Sequence, residues 1–339
     1  MKNLFYFDDL IDKYQNCNKN LLLGNGFSIA CNKDFCYNSI LEKSSFRDSI
    51  LFSSTSDFEK VIDDLNFERD VYQFAYEEDY IAPIYENLSD DLKKALVNTL
   101  VKIHSNVYTN KEQNENTFLF LSNFNNIFTL NYDLLLYWVI IYAANLQRDY
   151  PDYYYSCIKQ RNFYPRDGFI RNSSEGDCIW SPEIWKQNVF YLHGGLHLFY
   201  DNKQNMYKLT YDLNNNQSII DKTRYWLEHG TSPLVVIEGN SSYKLQHIRN
   251  NNYLNYCYEK LCNIQDILFI HGHSFGDKDY HIYDAINNNP KIKMICISIH
   301  KSTENIEEKF EKANATFETR INEKSLEIKF YDADSVKIW

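Results

Sequence analysis

Short apolar runs bounded by polar turns alternate along the chain with longer stretches of helical period. Asn20–Leu23, Asn126–Leu130, Val189–His193, Leu234–Glu238, Asp266–His271, Lys293–Ile299 and Leu326–Tyr331 read as strands. Continuous apolar character over that length marks strands covered on both faces, as in a parallel sheet. The pattern predicts an α/β fold, a Rossmann-like parallel sheet with helices on both faces, in a single domain spanning 1–339.

Two stretches break the alternation. Residues 38–120 keep helical periodicity throughout, with Val61, Leu65 and Phe74, then Leu96, Leu100 and Ile103, and they separate the first strand from the second. They are expected to form a helical insertion or lid. Residues 146–188 are rich in Tyr, Asn, Asp and Arg, hold three of the six prolines, and read as a long ordered loop. The longest apolar run, Leu134 to Ala144, is roughly half of a membrane span and reads as a buried helix.

Charge narrows the partners. With 46 acidic residues against 35 Lys and Arg the formal net charge is -11, which argues against direct nucleic-acid binding. The eight cysteines form no C-x-x-C pair, so neither a zinc ribbon nor a disulfide framework is expected. No basic start leads into an apolar segment. A cytoplasmic protein without a membrane segment is the expectation.

Candidate chemistry gathers where strands end. The chain has only 10 glycines and places two of them, Gly24 and Gly26, in LLLGNGFSIA directly after the first strand. Either the backbone turns there at positive φ or something approaches it closely. TLNYD, Thr129 to Asp133, follows the second strand and precedes the buried helix. Asp133 can be read as a helix N-cap and Asn131 as a turn residue, or both as site residues at a strand's carboxyl end. FYLHGGLHLF puts His193 at another strand end beside Gly194, a candidate general base. Two glycines between His193 and His197 argue against a helical zinc pair. ILFIHGHSFGDKDYHI adds Gly272, Ser274 and Asp279 after a further strand. His271, His273 and His281 lack the spacing of a ligand set, and no metal is expected.

Together these stretches resemble the sirtuin (SIR2) superfamily, and within it SIR2-like, DUF4917-type proteins of bacterial anti-phage defence. Gly24, Gly26 and Ser28 match the G-A-G-x-S motif, with Asn25 in place of alanine and Phe27 at the variable position. Thr129, Asn131 and Asp133 match T-x-N-x-D, His193 and Gly194 match the catalytic H-G, and Gly272 and Ser274 match a later G-x-S. PLVVIEG, Pro233 to Gly239, stands where sirtuins carry a strand ending in Gly-Glu. The four-cysteine zinc module of the deacylases has no counterpart, and HLFYDNKQNMYKL after His193 reads as a β-hairpin.

The resemblance implies NAD as substrate, cleaved at the nicotinamide–ribose bond to ADP-ribose and nicotinamide, without a metal. By the same resemblance Asn131 orients ribose and water, His193 is the general base, and Asp133 positions the nicotinamide ribose. Gly24, Asn25, Gly26 and Phe27 lie along the diphosphate, and Ser28 opens a helix facing it. Thr129, Gly194 and Gly272 complete the cofactor contacts, with Ser274 and Asp279 on the adenosine half. The third glycine of G-x-G-x-x-G is missing, which weighs against a dehydrogenase. A zinc-independent deacylase, an ADP-ribosyltransferase and a non-enzymatic NAD or ADP-ribose sensor are the alternatives. A partner such as a HerA-type ATPase is expected by analogy, and the aromatics spaced along the acidic stretch Phe67 to Tyr80 of the insertion lead to the expectation of a homo-oligomer.

Overall fold

The computed structural model describes residues 4–75, 80–158, 163–171, 177–181, 186–200, 205–210, 218–301 and 306–339. Among the described residues ten strands follow in chain order: β1 (Lys19–Leu23), β2 (Asn126–Thr129), β3 (Phe169–Arg171), β4 (Cys178–Trp180), β5 (Val189–Tyr191), β6 (Leu198–Tyr200), β7 (Met206–Lys208), β8 (Asp266–His271), β9 (Ile292–Ile299) and β10 (Glu327–Asp332). Six of them pair in parallel in the order β10-β9-β8-β1-β2-β5. Numbered within this sheet alone, the order is 3-2-1-4-5-6, the doubly wound Rossmann arrangement. Every residue of β1 is buried, as expected of a strand with helices over both faces.

Six of the seven apolar runs are strands of this sheet. The seventh, Leu234–Glu238, is not: it makes one antiparallel bridge, Val235 to Gly194. Its backbone groups are used by the segment after β5, with Leu234 N–H donating to Leu198 O (2.7 Å), Val236 N–H to His193 O (3.0 Å), and Leu234 O accepting from Gly195 N–H (2.8 Å). With its groups satisfied there, it adds no seventh strand.

The described residues of 37–121 lie between β1 and β2 and are predominantly helical, in Tyr37–Lys43, Phe58–Ala75, Ala82–His104 and Lys111–Leu121, with 76–79 outside the described residues. Phe58, Val61, Ile62 and Leu65 are buried on one side of the second of these helices, at the i, i+3, i+4, i+7 spacing of an apolar stripe. The stretch 146–188 carries more structure than a loop. It ends the helix Leu135–Asp149, contains the helix Pro151–Cys157, and supplies β3 and β4 to a small antiparallel sheet of order β3-β4-β7-β6. Within it 159–162, 172–176 and 182–185 fall outside the described residues. The hairpin expected after His193 is present as antiparallel β6 and β7, with 201–204 outside the described residues. Among the described residues no helix is long and apolar enough to cross a membrane.

Candidate active site

The sheet changes winding direction between β1 and β8, and a crevice opens at their carboxyl ends, the position where such sheets bind ligands. Both strands lead into glycine loops. Gly24 N–H donates to His271 O (2.9 Å) and Gly26 N–H to Gly272 O (2.8 Å). A Cβ on Gly24 would meet Gly272 O at 2.7 Å, and one on Gly26 would meet Gly272 Cα at 2.7 Å. Neither Gly24 nor Gly26 has positive φ, whereas Gly272 does, at 72°. The glycines of the first motif are therefore required by the close approach of the protein's own second loop. The helix expected to open at Ser28 starts at Gly26 and ends at Cys31.

Ser28 is fully buried and faces Asp133 rather than solvent. Its hydroxyl donates to Asp133 Oδ2 and accepts from Asn131 Nδ2 at 2.9 Å. The same amide nitrogen donates to Gly24 O at 3.1 Å. Since that carbonyl can only accept, the nitrogen of Asn131 is fixed on the glycine loop, and its carboxamide oxygen is what it can offer a ligand. Asp133 also accepts from Leu135 N–H (2.8 Å) at the start of the following helix. Burial raises the pKa of Asp133 against the pull of these hydrogen bonds. Asp133 thus acts both at the helix start and, through Ser28, on Asn131.

His193 is 2% exposed, and its Nε2 lies 3.0 Å from Nε2 of His281. Asp279 Oδ1 is 4.0 Å from the same nitrogen, so Asp279 stands beside His193. Its carboxylate is held by Lys244 Nζ at 3.1 Å and by His273 Nε2 at 3.2 Å. Lys244, 1% exposed, also donates to Glu59 Oε2 at 2.8 Å, and Tyr132 donates to Glu59. Burial and the Lys244 cation push His193 down to about 4, so it is neutral at pH 7. Burial alone would raise both carboxyls, but Lys244 keeps Glu59 below its usual range and holds Asp279 well below. Lys244 is raised in turn, its burial outweighed by the two carboxylates.

These groups surround one cavity of about 850 Å³, within the ~300–1,000 Å³ span of small-molecule sites. Of the residues expected from sequence, Asn131, Asp133 and His193 line it, as do Gly24, Asn25 and Gly26 from the first loop and Gly272, Ser274 and Asp279 from the second. The other four stand behind it. Phe27 packs on Trp339 with ring centroids 4.9 Å apart, and Ser28 holds Asp133 and Asn131. Thr129 Oγ1 accepts from Asn131 N–H (3.1 Å). Gly194, at φ 75°, leaves room for Leu234 O, which a Cβ would meet at 2.1 Å. The helical insertion supplies an apolar wall of Ile40, Phe58, Leu96 and Leu100, together with Glu59.

Among the described residues one group, His193, Asp279 and His281, brings metal-ligating atoms within 4.8 Å of one another. The geometry commits them to each other. The imidazole centroids are 5.2 Å apart with planes at 26°, so nitrogens 3.0 Å apart lie between the rings and point head on. That is the arrangement of a hydrogen bond, not of two ligands converging on a third atom. The Lys244 ammonium on Asp279 further disfavours a cation.

A family model described as a domain of unknown function (DUF4917) matches residues 21–339. The chain belongs to the DUF4917 family. No curated protein matches it. The match to the DUF4917 model contains every residue lining the cavity.

Glu59 and Lys244 of this DUF4917 chain are not singled out by the sequence, and His281 is considered there only as a metal ligand. Lys244 offers the one usable signal. On the helix Ser241–Arg249 the buried residues are Lys244 and Ile248, so a lysine stands four residues before an apolar anchor on the same face. Glu59 sits among ordinary acids at a helix start, and His281 follows a strand-end loop without a motif of its own.

Proposed function

We propose that this DUF4917 chain is a SIR2-like NAD+ glycohydrolase. The observation that carries the reading is the convergence of Asn131, with its amide nitrogen locked, and neutral His193 on one cavity at the switch point of a 3-2-1-4-5-6 sheet.

In this reading the nicotinamide–ribose bond breaks with its electron pair leaving on nicotinamide, and C1′ takes oxocarbenium character as in glycoside hydrolysis. The Asn131 oxygen accepts from a ribose hydroxyl or the attacking water. His193 removes the water proton as the oxygen bonds to C1′, giving ADP-ribose, nicotinamide and one proton. The apolar wall from the insertion limits bulk water. Depletion of NAD in anti-phage defence, activation by a partner such as a HerA-type ATPase, and a homo-oligomer are parts of the same reading. Phe67, Val71 and Phe74, exposed on the helix Phe58–Ala75, are the surface we assign to self-association.

Incubation of the purified chain with NAD+ and chromatography of the products tests it. Free ADP-ribose and nicotinamide in equal amounts are expected. ADP-ribose attached to protein would indicate a transferase, acylated ADP-ribose formed when an acyl-lysine peptide is added a deacylase, and binding without turnover a sensor.

A further inference from the structure

We propose that His281 is a positioning residue for His193, accepting the proton on His193 Nε2 and so keeping the base lone pair on Nδ1. The inference rests on the reading of His193 as general base. A histidine base needs its second nitrogen fixed by a partner, since that hydrogen bond decides which tautomer is present. The usual partner is a carboxylate or a carbonyl. Here the nearest carboxylate oxygen, Asp279 Oδ1, is 4.0 Å away, beyond hydrogen-bond distance, and Lys244 already holds it at 3.1 Å.

His281 takes that place. Its Nε2 faces His193 Nε2 head on at 3.0 Å, and its Nδ1 lies 3.1 Å from Ser241 Oγ. Ser241 Oγ also accepts the backbone N–H of His281 at 2.6 Å. A hydroxyl oxygen has two acceptor lone pairs; one takes the backbone N–H of His281, and the second is open to Nδ1–H. In the proposed tautomer the proton of His281 is on Nδ1, which leaves its Nε2 as an acceptor. The chain runs His193 Nε2–H to His281 Nε2, and His281 Nδ1–H to Ser241 Oγ.

Two further contacts hold His281 in place. Tyr258 stacks on its ring at a centroid distance of 6.5 Å and a plane angle of 21°, and the Tyr258 hydroxyl donates to His281 O at 2.9 Å. Ser241 and Lys244 are three apart on one helix, a spacing that puts them on neighbouring positions of one face. One helix thus supports both the histidine pair and the carboxylates beside it. When His193 takes up the proton of the attacking water on Nδ1, the proton on its Nε2 can shift toward His281. The positive charge is then shared by two rings close to Asp279.

Nitrogen-15 spectra of histidine-labelled protein read the tautomers directly, with His193→Gln and His281→Gln used for assignment. His193 protonated on Nε2 and His281 on Nδ1 is the expected result; the opposite pair of tautomers overturns the proposal. This measurement needs no turnover, so it decides the assignment even if the wild type leaves NAD+ intact and the glycohydrolase reading fails. Where NAD+ is cleaved, His281→Phe should lower kcat about 10- to 100-fold with little change in KM, as expected for a group acting behind the first layer. His281→Gln, whose amide oxygen can accept the same proton, should recover most of the loss. A glutamine variant as slow as the phenylalanine variant would also overturn it.

Discussion

Gly26 donates its N–H to Gly272 O at 2.8 Å, and the space where a side chain on Gly26 would begin is taken by Gly272 Cα, 2.7 Å away. Backbone cannot yield as a flexible side chain can. Gly26→Ala should therefore destabilise the fold by roughly 1–3 kcal/mol, the range for overpacking, and lower the melting temperature. Gly272→Ala should do more, because Gly272 also has φ of 72° and its Cβ would meet Phe27 N at 2.6 Å. Thermal melting and NAD+ titration calorimetry together check this. Unchanged melting with lost NAD+ binding would mean that the glycines serve the ligand alone.

Asn131→Ala and His193→Ala should each slow NAD+ cleavage by roughly 10²- to 10⁴-fold, the range for losing a general base or a comparable group. The variants should stay folded by circular dichroism. Near-wild-type turnover by folded His193→Ala protein would remove His193 from the mechanism.

Much of this arrangement is legible in the amino-acid sequence. The strand runs and the helical insertion are local in sequence, and the nine expected residues that line the cavity each stand in a segment that follows an apolar run. What was hidden is non-local. The pairing of Lys244 with Glu59 and Asp279 joins residues 185 and 35 positions apart, and nothing in a helical Lys or Glu distinguishes a buried ion from a solvated one. The run Leu234–Glu238 looked like a strand because burial and extended backbone leave the same apolar signature as sheet pairing does. The position of Asp279 beside His193 is not legible in the sequence, because tertiary packing alone fixes it.

Stability should fall on mild acidification. Burial holds His104 and His271 at about 3 and His193 at about 4, against about 6.5 in an unfolded chain. A depressed folded value means that the unfolded state takes up the proton first as pH drops. The contribution is therefore complete above about pH 6.5 and lost below it, on the order of 2 kcal/mol per histidine by pH 5. Urea unfolding at several pH values checks the slope; stability that stays level from pH 7 to pH 5 would contradict neutral buried histidines.

Chelators should leave activity intact, and purified protein should carry no stoichiometric zinc. The His193–His281 contact is a head-on hydrogen bond and Asp279 is paired with Lys244, so a metal would have to break both. Elemental analysis with and without EDTA decides. About one zinc per chain, lost together with activity, would show that the two histidines part to bind it.

Lys244→Met should be among the most damaging single changes away from the apolar core. It leaves Glu59 and Asp279, 12% and 21% exposed in their side chains, without the cation that compensates both, and breaking a buried pair in this way costs about 3–5 kcal/mol. The sign with pH follows from the shifts. In the wild type Lys244 keeps both carboxyls below their usual range, so their contribution is present above the unfolded values near 4 and lost as pH falls through the lower folded ones. In the variant, burial and mutual repulsion act without opposition and raise the carboxyl pKa values. The folded variant then binds protons more readily than its unfolded chain, and its deficit shrinks on acidification. The stability gap between wild type and variant should therefore be wide near pH 7.5 and narrower near pH 5.5. Glu59→Gln in the Lys244→Met background should recover part of the gap by removing one of the two stranded charges. Urea unfolding of the three proteins at both pH values measures it, and a small gap that does not change with pH would mean that Lys244 is not the counter-ion of this site.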